Sequence, residues 1–170
     1  NSIIDISKIE SENEILNNGN YKLDKIIYEI NNNINILMKE NMYFTINVNE
    51  ECFNDLYGDE FKLNKILHIF LKNIIQYTNN GEINLSVSST MIDSSNCELN
   101  FSIKSNSIFN YDFNTKLDDL IKDSYDNGTD IDFKSLNIII ANSLLQIMGG
   151  SIKVTSDGNN SVLLIKISQK

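Results

Sequence analysis

The residues able to do chemistry in this 170-residue chain are few and unevenly placed. His68 is the single imidazole, the group a phosphoryl transfer through nitrogen would use as acceptor. It falls inside an apolar helical pattern, where a packed or surface histidine is the plainer reading. Asp118, Asp119, Asp123, Asp126, Asp130 and Asp132 make an acid-rich stretch without the spacing of a calcium loop, so it reads as a solvated segment. Cys52 and Cys97 stand far apart with no CxxC spacing, which argues for two reduced thiols and against a zinc site or a disulfide framework. Asn73, Gln76 and Tyr77 close a strongly apolar helix, although one asparagine on a helix carries little signal in a chain this rich in asparagine.

Composition narrows the classes further. Hydrophobic residues make up 41% and charged residues 22%, close to globular values, so the chain can bury a core as one domain. All fourteen cations are lysine against 23 acids, for a net charge of −9. That excludes a bidentate arginine clamp and argues against a nucleic-acid backbone as partner. No apolar run reaches the roughly 18–20 residues of a membrane span, so the expected location is cytoplasmic, with any anchor outside this stretch. Asn-rich runs such as Asn31-Asn32-Asn33 are interleaved with periodic isoleucines and read as folded.

The elements that must position these groups follow from periodicity. Ile3, Ile4, Ile6, Ile9 and Leu16 suit a helix over 1–16, stopped by Asn17-Asn18-Gly19-Asn20. Leu23, Ile26, Ile27, Ile30, Ile34 and Leu37 predict a second helix, ended by Asn41, and Tyr43 to Val48 alternates as a strand with Phe44, Ile46 and Val48 on one face. Asp59 is a good N-cap for the strongest helix, whose apolar face runs from Phe61 to Ile75. Ile83, Leu85 and Val87, then Leu99, Phe101 and Ile103, predict an antiparallel hairpin. Residues 105–134 are polar and poorly periodic apart from a short helical stretch around Leu117, Leu120 and Ile121. A helix from about Leu136 to Met148 closes at Gly149-Gly150, and two strands follow, Ser151 to Thr155 and Ser161 to Ser168. The order predicts an α+β protein, a two-layer α/β sandwich with helices on one face of the sheet.

Four segments carry a family resemblance across essentially the whole chain. Ile3-Ile4-Asp5-Ile6-Ser7-Lys8-Ile9-Glu10-Ser11 resembles the end of the second dimerisation helix of sensor histidine kinases. Tyr57-Gly58-Asp59 with Leu63, Ile66 and Leu67 is similar to the start of their nucleotide-binding helix. Leu71-Lys72-Asn73-Ile74-Ile75-Gln76-Tyr77-Thr78 before Gly81-Glu82-Ile83 is similar to their asparagine box, and Leu144-Leu145-Gln146-Ile147-Met148-Gly149-Gly150 to their final helix. The resemblance implies the Bergerat ATP-binding fold, with a mixed, mostly antiparallel sheet. It divides the chain into the end of a dimerisation and phosphotransfer helix at 1–16 and an ATPase-like domain at 17–170, with a lid-like loop over 105–135.

The same resemblance assigns positions. Asn73 matches the Mg²⁺-holding asparagine; Gln76 replaces a lysine that faces the nucleotide, and Tyr77 is kept. Ser105 stands where an aspartate accepts the adenine amino group, and Ser107 where the first glycine of that box belongs. Ser135 and Asn137 fall at glycine positions of the phosphate-cradling box, and Asn160 and Val162 replace a glycine and a threonine near the end. His68 lacks the carboxylate that follows the family's phosphoacceptor, which would lie upstream of Asn1.

Two functions are thereby expected. One is a pseudokinase-like regulatory module with no nucleotide cofactor, acting through a dimer of its own kind and through a receiver domain or another histidine kinase. The other is an active histidine kinase using ATP and Mg²⁺ through divergent boxes.

Overall fold

The computed structural model describes residues 15–107, 117–130 and 133–170. Eleven elements lie within them: β1 (Gly19–Lys22), α1 (Leu23–Asn35), β2 (Met42–Val48), β3 (Asp55–Gly58), α2 (Glu60–Tyr77), β4 (Gly81–Met91), β5 (Cys97–Ser105), α3 (Leu117–Asn127), α4 (Phe133–Ile147), β6 (Ser151–Ser156) and β7 (Ser161–Gln169). The helix expected over 1–16 lies outside the described residues except for Ile15 and Leu16, which have no regular secondary structure.

Five strands form one sheet in the order β2-β4-β5-β7-β6, with β2 parallel to β4 and the other pairings antiparallel. Alternation does the sorting. Ile83, Leu85, Val87, Leu99, Phe101, Ile103, Leu163, Ile165 and Ile167 are buried on the helix side, while Asn84, Ser86, Asn100, Ser102 and Lys104 stand on the other. Along β2 the burial fades from Phe44 through half-buried Ile46 to exposed Val48, because this edge strand outruns the helices that cover it.

The helices supply the second layer. Helix α1 buries Leu23, Ile26, Ile30 and Ile34, one 3–4-spaced stripe. Helix α2 buries Leu63, Ile66, Leu67, Phe70, Leu71, Ile74 and Ile75, and α4 packs against it with Leu136, Ile140, Ala141, Leu144 and Leu145 inside. Each fully buried aliphatic side chain contributes about 1.5–3 kcal/mol. Helix α4 ends in a Schellman turn: Gly150 N–H donates to Leu145 O (2.9 Å) and Gly149 N–H to Gln146 O (3.0 Å), with Gly149 at φ 67°. A side chain at Gly150 would sit 2.8 Å from the Lys166 carbonyl, so the helix exit meets β7 only through glycine.

The periodicity reading misses one element pair. The Asn17 to Asn20 stop runs into β1, which pairs antiparallel with β3 from Gly19↔Gly58 to Lys22↔Asp55. Each strand has four residues and a single buried apolar side chain, Tyr21 or Leu56, too short for alternation to register. The ribbon is tied to the main sheet by a two-way backbone pair between Tyr57 and Lys170, at 2.7 and 3.1 Å.

Candidate functional site

The site residues expected from the sequence gather at one end of the sandwich, where α2 ends, β5 ends and β7 begins. Asn73 lies one turn before Tyr77 on α2 and is buried at 5% exposure, whereas Gln76 and Tyr77 are exposed. The first turn of α4 reaches the same place. Lys134 Nζ sits 4.9 Å from the centroid of the Tyr77 ring, a cation–π contact that sets half-buried Ser135 and exposed Asn137 beside the end of α2.

Between them is a closed set of hydroxyls. Thr78 Oγ1, Ser105 Oγ and Ser107 Oγ form a triangle with every side 2.9 Å, and Thr78 and Ser105 are buried. Thr78 is the C-cap of α2, and its hydroxyl donates to Ile74 O at 2.9 Å. That commits its one hydrogen, so Thr78 Oγ1 faces both serines as acceptor. Ser105 Oγ meanwhile accepts the Ser107 backbone N–H at 3.2 Å. With its hydrogen donated to Thr78 and the Ser107 amide accepted, Ser105 Oγ is engaged from within, while the Ser107 hydroxyl, whose hydrogen also goes to Thr78, lies beside it at 2.9 Å. Buried Ser161, the cross-strand partner of Ser105, adds another hydroxyl 3.0 Å from Ser156 Oγ. At the neighbouring turn the backbone amides of Asn160 and Asn159 hold the Asp157 carboxyl below its ordinary range. Half-buried Asn160 and Val162 flank Ser161.

The opposite end of the sheet is built on charge. Asp59 is 1% exposed and caps α2, accepting Lys62 N–H (3.0 Å) on one oxygen and Lys62 Nζ (2.8 Å) and Asn17 N–H (2.9 Å) on the other. Burial pushes its pKa up, but these donors together outweigh that and hold the carboxyl below its ordinary value. Lys62 Nζ also donates to Ile15 O at 3.0 Å. Nearby, the Tyr21 hydroxyl donates to Gln169 Oε1 at 2.6 Å, and burial pushes the phenol up, with Cys97 and Glu60 adding to the shift. A side chain at Gly58 would strike Gln169. A cavity of about 180 Å³ opens here, lined by Leu16, Tyr57, Asp59, Met148 and Gln169 among others.

His68 belongs to neither end. Its Nδ1 lies 2.8 Å from Asn64 O and its Nε2 3.1 Å from Asn33 Nδ2, so it bridges α2 to α1, as a packed helix histidine would. Among the described residues no three His, Cys, Asp or Glu side chains stand together as metal ligands, and no helix is long and apolar enough to cross a membrane. Sequence reasoning gave no role to Thr78 or Ser161. A polar residue directly after a long apolar helix is the signal for the first, and strand parity opposite Ser105 for the second.

No protein-family model and no curated protein matches the sequence. Solved structures do match the fold. Acinetobacter baumannii histidine kinase AdeS superposes with a TM-score of 0.67 at 16% identity, over 98% of this chain and 75% of that one. Full-length ShkA in complex with AMPPNP gives 0.70 at 16% identity, over 98% of this chain but 34% of that one. The nucleotide-free catalytic domain of histidine kinase ThkA gives 0.58 at 15% identity, over 88% and 94%. The five-stranded mixed sheet under helices α1, α2 and α4 is thus the Bergerat sandwich of histidine kinase catalytic domains.

Proposed function

We propose that this chain is the catalytic-type domain of a two-component signalling protein, retaining the sandwich and acting as a regulatory, protein-interaction module with weak or no ATP binding. The observation that carries this reading is the hydroxyl triangle around Ser105. By the resemblance, Ser105 occupies the place where a carboxylate would accept the adenine amino group. A neutral hydroxyl forgoes a charge-assisted bond of about 1.5–3 kcal/mol. Here that hydroxyl is also buried and engaged with Thr78 and Ser107, so a purine would have to break an existing network to reach it. Side chains at Ser107, Ser135 and Asn137 further fill places where the family uses glycine to let backbone approach the phosphates. The residues present do not fit a nucleotide.

The partners follow from the same reading: a second copy through the upstream helix, and a receiver domain or another histidine kinase. The module would act through geometry and surface contacts. The second reading, an ATP-dependent protein-histidine kinase phosphorylating a histidine upstream, has one observation in its favour. Asn73 is buried on α2 one turn before Tyr77, the register in which the family holds Mg²⁺.

Thermal melting in the presence of millimolar Mg-ATP separates the two. A ligand that binds only the native state stabilises it, by about 2.7 kcal/mol at one hundred times its Kd. The regulatory reading predicts an unchanged midpoint; a rise of several degrees that saturates with ATP supports the kinase.

A further inference from the structure

Sequence spacing separates Cys52 from Cys97, but the chain path between β2 and β3 brings them to one end of the core. That connection crosses beneath the sheet. Asn49 N–H donates to Val87 O on β4 (2.9 Å), Phe53 N–H to Ser89 Oγ on β4 (3.0 Å), and Tyr57 N–H to Lys170 O beyond β7 (2.7 Å). Strand β5 lies between β4 and β7, so the crossing passes the start of β5, whose first residue is Cys97. Cys97 pairs with Met91, two residues from Ser89, and shares the buried parity of Leu99. Cys52, next to Phe53 and half-buried, packs against the same core cluster. Both thiols are free.

We propose that Cys52 and Cys97 form a reversible dithiol–disulfide pair, oxidised by hydrogen peroxide, that clamps the β2–β3 crossing to the first residue of β5. Cys52, the more accessible thiol, reacts first: its sulfur takes the terminal oxygen of the peroxide, the O–O bond breaks, and water leaves with the thiol proton. The Cys97 sulfur then attacks the Cys52 sulfenic sulfur, forming the S–S bond and releasing a second water that carries the Cys97 proton. Two thiols and one hydrogen peroxide thus give one disulfide and two waters, and a dithiol reductant reverses the step. Burial, with Cys52 adding to it, pushes the Cys97 thiol up, which disfavours it as the thiol that attacks the peroxide first.

The crossing carries β3 and leads directly into Gly58 and Asp59 at the start of α2. A covalent tie from Cys52 to β5 would therefore stiffen the charged end of the sandwich and leave the hydroxyl end untouched. The test uses the full chain, treated with one equivalent of hydrogen peroxide, alkylated with N-ethylmaleimide and weighed intact. The expected product is monomeric, two hydrogens lighter, unalkylated at both cysteines, and returned to a doubly alkylated form by dithiothreitol. A non-reducing peptide map should join Cys52 to Cys97, and the melting midpoint should rise by several degrees. Cys97→Ser should stop at a Cys52 sulfenic acid trapped by dimedone, and Cys52→Ser should leave Cys97 unoxidised. Circular dichroism like that of the parent, expected for both variants, checks that each has folded. Independent alkylation of both thiols after peroxide, over-oxidation of Cys52 with Cys97 free, or a disulfide between two chains would each overturn the proposal.

Discussion

The two ends of the sheet solve the same problem, closing a helix against strand termini, with opposite chemistry. At one end Asp59 brings a buried charge that is matched by Lys62 and by two amides, and glycines at 58 and 150 allow contacts no side chain would. At the other, the neutral hydroxyls of Thr78, Ser105 and Ser107 gather in one triangle, and buried Ser161 pairs with Ser156. The first arrangement commits a charge to holding the fold. The second offers no charge, and a ligand reaching Ser105 would find its hydrogen already given to Thr78 and its oxygen already accepting the Ser107 amide.

The sharpest way to break this contrast is to remove the charge. Asp59→Ala should cost about 3 kcal/mol in urea unfolding, between the ~0.5–2 of a lost N-cap and the ~3–5 of a broken buried pair. Its pH dependence has a definite sign. The folded carboxyl is held below its ordinary value of 3.8, so its contribution is fully present above that value and is lost as pH falls through the lowered one. The gap between the parent and Asp59→Asn should therefore be constant near neutrality and shrink below about pH 4. Parallel acid titrations of the two proteins would expose a gap that widens instead. Gly150→Ala should cost about 1–3 kcal/mol by overpacking, because the Lys166 carbonyl it would approach is backbone and cannot swing aside. At the neutral end the effects should be smaller. Ser105→Ala should lose about 1 kcal/mol or less, since Thr78 keeps its bonds to Ile74 and Ser107, and it should leave the response to Mg-ATP as it was. Smallest of all, Asp55→Ala removes a surface pair with Lys22, and the unfolding midpoint should not move.

The layers of the sandwich are legible in the sequence. The 3–4 spacing of Ile26, Ile30 and Ile34 and the alternation of Leu99, Phe101 and Ile103 fixed the layers, because burial enforces period. Asp59 was readable as a cap, but not as a latch, since Asn17, which donates to it, and Ile15, whose carbonyl accepts from Lys62, come from a stretch whose only local signal is to end a helix. Strands β1 and β3 escaped because one buried apolar side chain each makes no pattern. The serine substitutions at 105 and 107 stood out against the family resemblance, yet their mutual bonding with Thr78 depends on how the end of α2 meets β5, a long-range fact. The approach of Cys52 to Cys97 has the same character, resting on a loop path under the sheet.

The central claim is that the end of the sandwich holding Asn73 and Ser105 offers a purine nucleotide no competent contacts. Isothermal titration of the chain with Mg-ATP, carried to millimolar nucleotide, addresses it most directly. The account predicts heats no larger than dilution; a saturable isotherm in the micromolar range that Asn73→Ala abolishes would contradict it.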